Sequence, residues 1–263
     1  MDSFPYIQKL NSIRKNLVAD ETRPAPSWVR ITTITMCSKF LQDIDLPKFK
    51  ENFEKLGSVV VRAKGSRFRG FEWKMKDTAF YNQVTIGYED QYSRKSIKIF
   101  PNGSIQVAGC SDLFDCRRIL KQLSFIFKLV LGREADVPVD EVSVKMINTN
   151  FSLNSSVNLN RVIKAFGAAK GKFQVTFDPD RYSAVKVKFV PVPDMKQVTA
   201  SIFSTGRIIV TGAQTLDEIA ESYRIINQTI DSSCLVKPVA EPETFGTIMG
   251  ASFEDWAATL NKI

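Results

Sequence analysis

The chain has 263 residues and no histidine. That absence excludes Ser-His-Asp and Cys-His hydrolysis, imidazole proton relays and every histidine-containing zinc site. Cysteine is scarce, with only Cys37, Cys110, Cys116 and Cys234. Cys110 and Cys116 alone stand close, at a spacing that matches no zinc knuckle or redox pair. No metal is expected, and the four read as free thiols of a reducing, intracellular compartment. Long apolar runs are also missing. The most apolar window, Leu123–Leu131, is broken by Lys128 and is too short to span a membrane. The first 27 residues lack the apolar stretch of a signal peptide. There is no Walker loop and no GxGxxG, so neither a cofactor nor an enzymatic activity is expected. The carboxylates Asp43, Asp45, Glu51 and Glu54 suggest a nuclease only on paper; they read as helix caps and a solvated helix face.

Acidic residues are the minority charge. Lys and Arg number 36 against 28 Asp and Glu, a net charge of +8, which favours an anionic partner. At 44% hydrophobic residues the chain has material for one large domain or two small ones.

The most informative feature is an internal repeat. FPNGSIQVAGCS begins at Phe100 and FSTGRIIVTGAQ at Phe203, 103 residues later. Both read F-x-x-G-x-I-x-V-x-G. The shared Gly103 and Gly206 stand where a hairpin turn needs positive φ. Upstream lie YNQVTI at Tyr81 and YSAVKV at Tyr182; downstream each copy has an amphipathic helix. Thr215-x-x-Glu218 forms a capping box at the second. Each copy opens with a strand, VRITTITM from Val29 and VSVKMINT from Val142. A short helix follows, LPKFKENFEKLG stopped by Gly57 and LNRVIKAFG stopped by Gly167. The order strand, helix, antiparallel strands, long helix is α+β, with helices covering one sheet face. The expected organisation is an N-terminal tail at 1–27, repeats at 28–132 and 133–232, and a C-terminal tail at 233–263. The first tail carries an amphipathic helix from Tyr6 to Val18, and the second a short helix with Phe253, Trp256 and Leu260 on one face. The first copy alone carries a basic stretch, Arg62–Lys76, with Phe68, Phe71 and Trp73 interleaved. It reads either as an extension of an anion-binding surface or as a charged loop.

Two direct repeats of this order, each with such a hairpin, resemble the TATA-box-binding protein (TBP) family. The resemblance runs from about Trp28 to Ser232 and is strongest in the second copy. Divergent copies carried by large DNA viruses look similar. The resemblance implies a curved antiparallel saddle sheet with helices on its convex face. The protein would bind and bend DNA through the minor groove as a transcription initiation factor, nucleating the preinitiation complex in the nucleus or at a site of viral transcription.

Carried over residue by residue, the aromatic wedges fall on Tyr81 and Phe100 and on Tyr182 and Phe203. The family has Phe at all four positions. Alternation puts Val29, Ile31, Thr33, Lys98, Gln106 and Ala108 on the minor-groove floor of the first repeat. Val142, Val144, Met146, Ser201, Ile209 and Thr211 take that place in the second. The family has Asn where Val29 and Val142 stand. Phosphate contacts are assigned to Arg94, Lys95, Lys186, Lys188, Lys196 and Arg207. The acidic Asp178-Pro179-Asp180 resembles the family's docking point for a TFIIB-type factor, although Asp-Pro-Asp is also an ordinary turn. The expected partners are therefore A·T-rich double-stranded promoter DNA, a TFIIB-like factor and the RNA polymerase machinery, with no membrane. A duplicated RNA- or cofactor-binding module that does not bend DNA is the alternative, and plain core packing accounts equally for the apolar floor residues.

Overall fold

A computed structural model describes residues 5–57, 59–62, 70–77, 80–90, 93–111, 113–134, 138–169, 171–238, 247–248 and 251–252. The C-terminal segment with Phe253, Trp256 and Leu260 lies outside them, as does Phe68. In chain order the elements begin with helix α1 (Pro5–Val18), strand β1 (Arg30–Lys39) and helix α2 (Leu46–Leu56). Strands β2 (Val59–Arg62), β3 (Gly70–Lys76), β4 (Val84–Asp90), β5 (Arg94–Ile99) and β6 (Ser104–Cys110) follow, then helix α3 (Leu113–Leu131). The second copy has β7 (Ser143–Ser152), β8 (Ser155–Val157), α4 (Leu159–Ala168), β9 (Gln174–Asp178), β10 (Tyr182–Phe189), β11 (Val198–Phe203), β12 (Arg207–Ala213) and α5 (Leu216–Thr229). After it come β13 (Leu235–Pro238) and the two-residue strands β14 (Thr247–Ile248) and β15 (Ala251–Ser252). The chain divides into two compact units, residues 33–145 and residues 1–32 with 146–263. The N-terminal tail thus belongs with the second repeat.

In the unit 33–145 the antiparallel ladder runs β2-β3-β4-β5-β6-β1. Alternation is clear on β5, while β4 is buried on both faces from Val84 to Tyr88 and the register of β1 shifts between Ile34 and Thr35. Ile97, Ile99, Ile105 and Val107 are buried against the helices, together with Met36 and Ile86. Phe127 of α3 stacks at 4.1 Å on Phe40 and 4.5 Å on Phe49 of α2. Burying side chains of this size is worth about 1.5–3 kcal/mol each. Asp45 caps α2 by accepting from the Lys48 amide, and Gly57 closes it, as the sequence predicts. The basic stretch is not a loop where it is described: β3 pairs with β4, and β2 adds an outer edge strand. Trp73 is fully buried on Tyr88, ring centroids 5.0 Å apart, so it belongs to the core.

In the other unit the ladder is β7-β12-β11-β10-β9. It matches the first strand for strand, less the extra edge strand β2. Asn158 caps α4 by accepting from the Arg161 amide. The helix runs through Gly167 to Ala168, so Gly167 is not the expected stop; glycine costs a helix about 1 kcal/mol but does not end it. The Thr215–Glu218 capping box is formed in full. Helix α1 packs on α5: Lys9 bridges Asp217 at 2.5 Å and Glu221 at 2.8 Å. Behind it the buried Arg23 donates to the carbonyls of Asn227 and Ile230, each at 2.7 Å, satisfying the carbonyls at the end of α5. The Tyr223 hydroxyl donates to the Ser27 carbonyl at 2.8 Å.

The duplication extends to individual backbone bonds. Gly103 and Gly206 both have φ of 78°. A Cβ on Gly103 would collide with the Gln42 and Phe40 carbonyls, and one on Gly206 with the Ser155 carbonyl. The Phe40 amide donates to the Gly103 carbonyl and the Ile44 amide to the Pro101 carbonyl. In the second copy the Leu153 amide donates to Gly206 and the Val157 amide to Ser204. Each hairpin is therefore pinned to its own half in the same way.

Candidate nucleic-acid interface

Directly paired residues of an antiparallel ladder share a face, so the registers define the helix-free face of each unit. In the first unit one row reads Lys76–Thr85–Lys98–Gln106–Cys37. The next reads Lys74–Gly87–Ser96–Ala108–Thr35. In the second unit the equivalent rows are Thr176–Lys186–Ser201–Ile209–Asn150 and Gln174–Lys188–Thr199–Thr211. Lys98, Gln106, Ala108, Ser201, Ile209 and Thr211 thus lie together on the expected faces, all half-buried except Ile209, which is 37% exposed. On β1 and β7 the alternation agrees with the expected set. Ile31, Thr33, Val144 and Met146 are half-buried. Val29 and Val142 lie just before their strands begin; Val142 is half-buried, but Val29 is only 5% exposed. Val29 is therefore withdrawn from the floor. It follows the stretch where Ser27 accepts from Tyr223 and from the Ser152 amide, and it belongs to the core.

Asn150 is a floor residue that sequence reasoning missed. It stands opposite Ile209 and brings a carboxamide with both donor and acceptor. The period of two along NTNFS is the signal that could have found it.

The cations divide unequally. Lys186, Lys188, Lys196 and Arg207 of the second unit are all exposed. The Lys186 ammonium lies 4.6 Å from the centre of the Tyr182 ring. In the first unit Arg94 is exposed but paired with Glu89 at 2.9 Å. Lys95 is not a phosphate ligand. It has the odd parity of Ile97 and Ile99, so its side chain is fully buried on the helix side, 2.9 Å from Asp115. A cavity of about 360 Å³ opens beside Phe100; Cys37, Lys39, Gln106 and Lys145 line it, together with the carboxylate residues Asp140 and Glu141.

The aromatic residues sit at the ends of these faces. Phe100 and Phe203 are half-buried and each immediately precedes its hairpin turn. The amides of Gly103 and Gly206 donate to their carbonyls. Tyr182 opens β10 and meets Phe203 edge to face, centroids 5.7 Å apart. Tyr81 lies in the turn before β4 and is 98% exposed, next to Phe80 at 62%. Asp178 and Asp180 are exposed in the turn between β9 and β10, Asp178 facing the Arg181 guanidinium at 3.5 Å.

Comparison with known proteins agrees with this geometry. The model of the family described as transcription factor TFIID, or TATA-binding protein, matches residues 141–232. A TATA-box-binding protein-like protein of Acanthamoeba polyphaga mimivirus is 27% identical over 242 residues, covering 77% of this chain. The chain spans 65% of that relative's length. The TATA-box-binding protein of Methanothrix thermoacetophila is 20% identical over 206 residues, covering 78% of this chain and 97% of its own. The solved TBP of Methanococcus jannaschii superposes with a TM-score of 0.52 at 15% identity, covering 77% of this chain and 97% of that one. The chain is similar to TATA-binding proteins, and its residues 141–232 match that family. Its fold is α+β, built of two tandem TBP-type repeats. The family model matches the second repeat, where Lys186, Lys188, Lys196 and Arg207 have no ion pair among the described residues and Tyr182 meets Phe203. The first repeat differs from the second in the extra strand β2, the buried Lys95 and the Arg94–Glu89 ion pair.

Proposed function

We propose that this protein is a TBP-like transcription initiation factor that binds double-stranded, A·T-rich DNA through the helix-free faces of its two repeats. The observation that supports this best is the repeated face. Mostly small, uncharged residues form its middle, with Lys98 and Gln106 among them in the first repeat; lysines stand at its side and a half-buried phenylalanine at its end, before the same pinned hairpin. A strip of small side chains and hydrogen-bond donors suits a minor groove, where A·T pairs show only acceptors. Phe203 with Tyr182, and Phe100 with Tyr81, would enter base steps and kink the duplex toward the major groove. Binding and bending are its whole action, with no bond made or broken. The exposed Asp178 and Asp180 would receive a TFIIB-like factor, and through it the RNA polymerase machinery, in the nucleus or at a site of viral transcription. Native gels of DNA fragments with the binding site at permuted positions test the reading. Mobility that varies with site position is the expected result. Binding with uniform mobility favours a module that does not bend DNA, and no binding refutes the proposal.

A further inference from the structure

The two halves differ in where the lysines at their outer sides stand on corresponding rows; nearer the middle, the first repeat also has Lys98 where the second has Ser201. In the second repeat the exposed Lys186 and Lys188 are on β10, opposite Thr176 and Gln174 of β9. In the first repeat the equivalents of those lysines are Thr85 and Gly87 on β4, neither of them charged. Opposite them on β3 stand Lys76 and Lys74, both exposed. The pair of positive charges is therefore kept at the same two rungs and moved one strand outward. Gly87 accommodates the move: the nearest atoms to a Cβ built there all belong to the Lys76 side chain, whose stem crosses the glycine. No carboxylate among the described residues pairs with Lys74 or Lys76. Meanwhile Arg94 is paired with Glu89 and Lys95 is buried on Asp115, so neither is a free cation for this face.

We propose that the first repeat holds its DNA phosphates from strand β3, through Lys74 and Lys76, in place of the strand that does so in the second repeat. This rests on the DNA-binding reading above. The arrangement moves the electrostatic edge of the first repeat outward by one strand spacing, about 4.8 Å. It also gives the extra edge strand β2 a purpose, since a paired β3 is held in register where an edge strand frays.

The test is fluorescence anisotropy of a labelled A·T-rich duplex over a salt series from 50 to 200 mM. Each phosphate contact contributes about 0.9 to the slope of log affinity against log salt. The double variant Lys74→Ala/Lys76→Ala should lose about 1.8 of slope, roughly a twelvefold smaller fall in affinity across that range. Lys186→Ala/Lys188→Ala should match it, and Lys74→Arg/Lys76→Arg should keep the wild-type slope. Adding Gly87→Lys to the alanine pair returns one lysine to the inner strand, where removal of the Lys76 stem has left space. Recovery of about half the lost slope is expected, and a merely structural role for β3 would not produce it. Wild-type binding with an unchanged slope in the alanine pair overturns this proposal and leaves the DNA-binding reading standing. Absence of wild-type binding overturns both.

Discussion

At the scale of single residues, the ladder separates side chains that face the helices from side chains free to meet a ligand. Phe100 and Phe203 are half-buried at the ends of their faces. Replacing either with Ala should weaken the DNA complex by about 1–3 kcal/mol and reduce the bend, since each would lose a stacked base. Titration of a labelled duplex with each variant measures this, and unchanged affinity and bend in both would remove the wedge assignment. Lys95 should behave in the opposite way. Lys95→Met leaves Asp115 with Arg118 as its remaining cation, 2.9 Å away, so a loss on the order of 1–3 kcal/mol is expected, while the affinity of the folded fraction for DNA stays the same. Denaturant melts paired with the same titrations separate the two effects. The place of Phe100 and Phe203 before their turns was legible because hairpin letters are stringent: F-x-x-G has its glycine at φ of 78° in both copies. Lys95 was misread because proximity in sequence carries no information about face. One step of parity, from Arg94 to Lys95, moved it from solvent to the core.

At the scale of elements, capping residues and hairpins were readable in advance, and packing partners were not. Asp45, Thr215 and Glu218 announced their helices, and the structure has them as caps. Nothing in the letters of α1 said that it would lie on α5, because amphipathicity gives a helix an apolar side without naming its target. The charges that join them predict an acid-sensitive contact. Burial alone raises the pKa of Glu221, but hydrogen bonds from Lys9 and Arg224 outweigh it and hold the carboxyl below its ordinary value. A carboxylate with a depressed folded pKa adds stability above its unfolded pKa, about 4.3, and loses it as pH falls through the folded value. Helix α1 should therefore begin to detach below about pH 4, seen as faster hydrogen exchange at the backbone amides of α1 than of α4. Glu221→Gln should show that faster exchange already at pH 7. Equal exchange in the two proteins at pH 7 would mean that the ion pairs do not hold the helix. The acidic turn between β9 and β10 is a second separable element. Asp178→Lys/Asp180→Lys should leave DNA affinity unchanged, because neither carboxylate lies on the rows that carry the lysines. It should abolish recruitment of a TFIIB-like factor, as scored by a supershift.

At the scale of the whole molecule, the duplication was legible almost completely, while the differences between its copies came from register. Tyr81 and Tyr182 look equivalent by letter, yet Tyr182 opens a strand against Phe203 and Tyr81 stands in a turn, 98% exposed. The basic stretch from Arg62 to Lys76 reads either as an extended anion-binding surface or as a charged loop, and where described it is sheet. These asymmetries give a prediction for the DNA sequence. In the second repeat the floor carries Ile209 with Asn150 opposite and Thr211 one rung away. Isoleucine excludes the guanine amino group that protrudes into the minor groove, and the Asn150 amide can donate to the acceptors of an A·T pair. In the first repeat the equivalents of Ile209 and Asn150 are Gln106 and Cys37. Gln106 can donate to an A·T acceptor or accept from a guanine amino group, so it discriminates poorly. Sites selected from random sequence should therefore be strict for A·T on one side and mixed on the other. Gln106→Ile should make both sides strict, whereas Asn150→Val should relax the strict side by about 1–3 kcal/mol at one base pair. Equal strictness in both halves of the wild-type sites would mean that bases are read by something other than these two rows. A tolerant half that stays tolerant in Gln106→Ile would point instead to the neighbouring carboxylates Asp140 and Glu141. Those residues line the same cavity as Gln106, and they would hold that half of the duplex away from the floor.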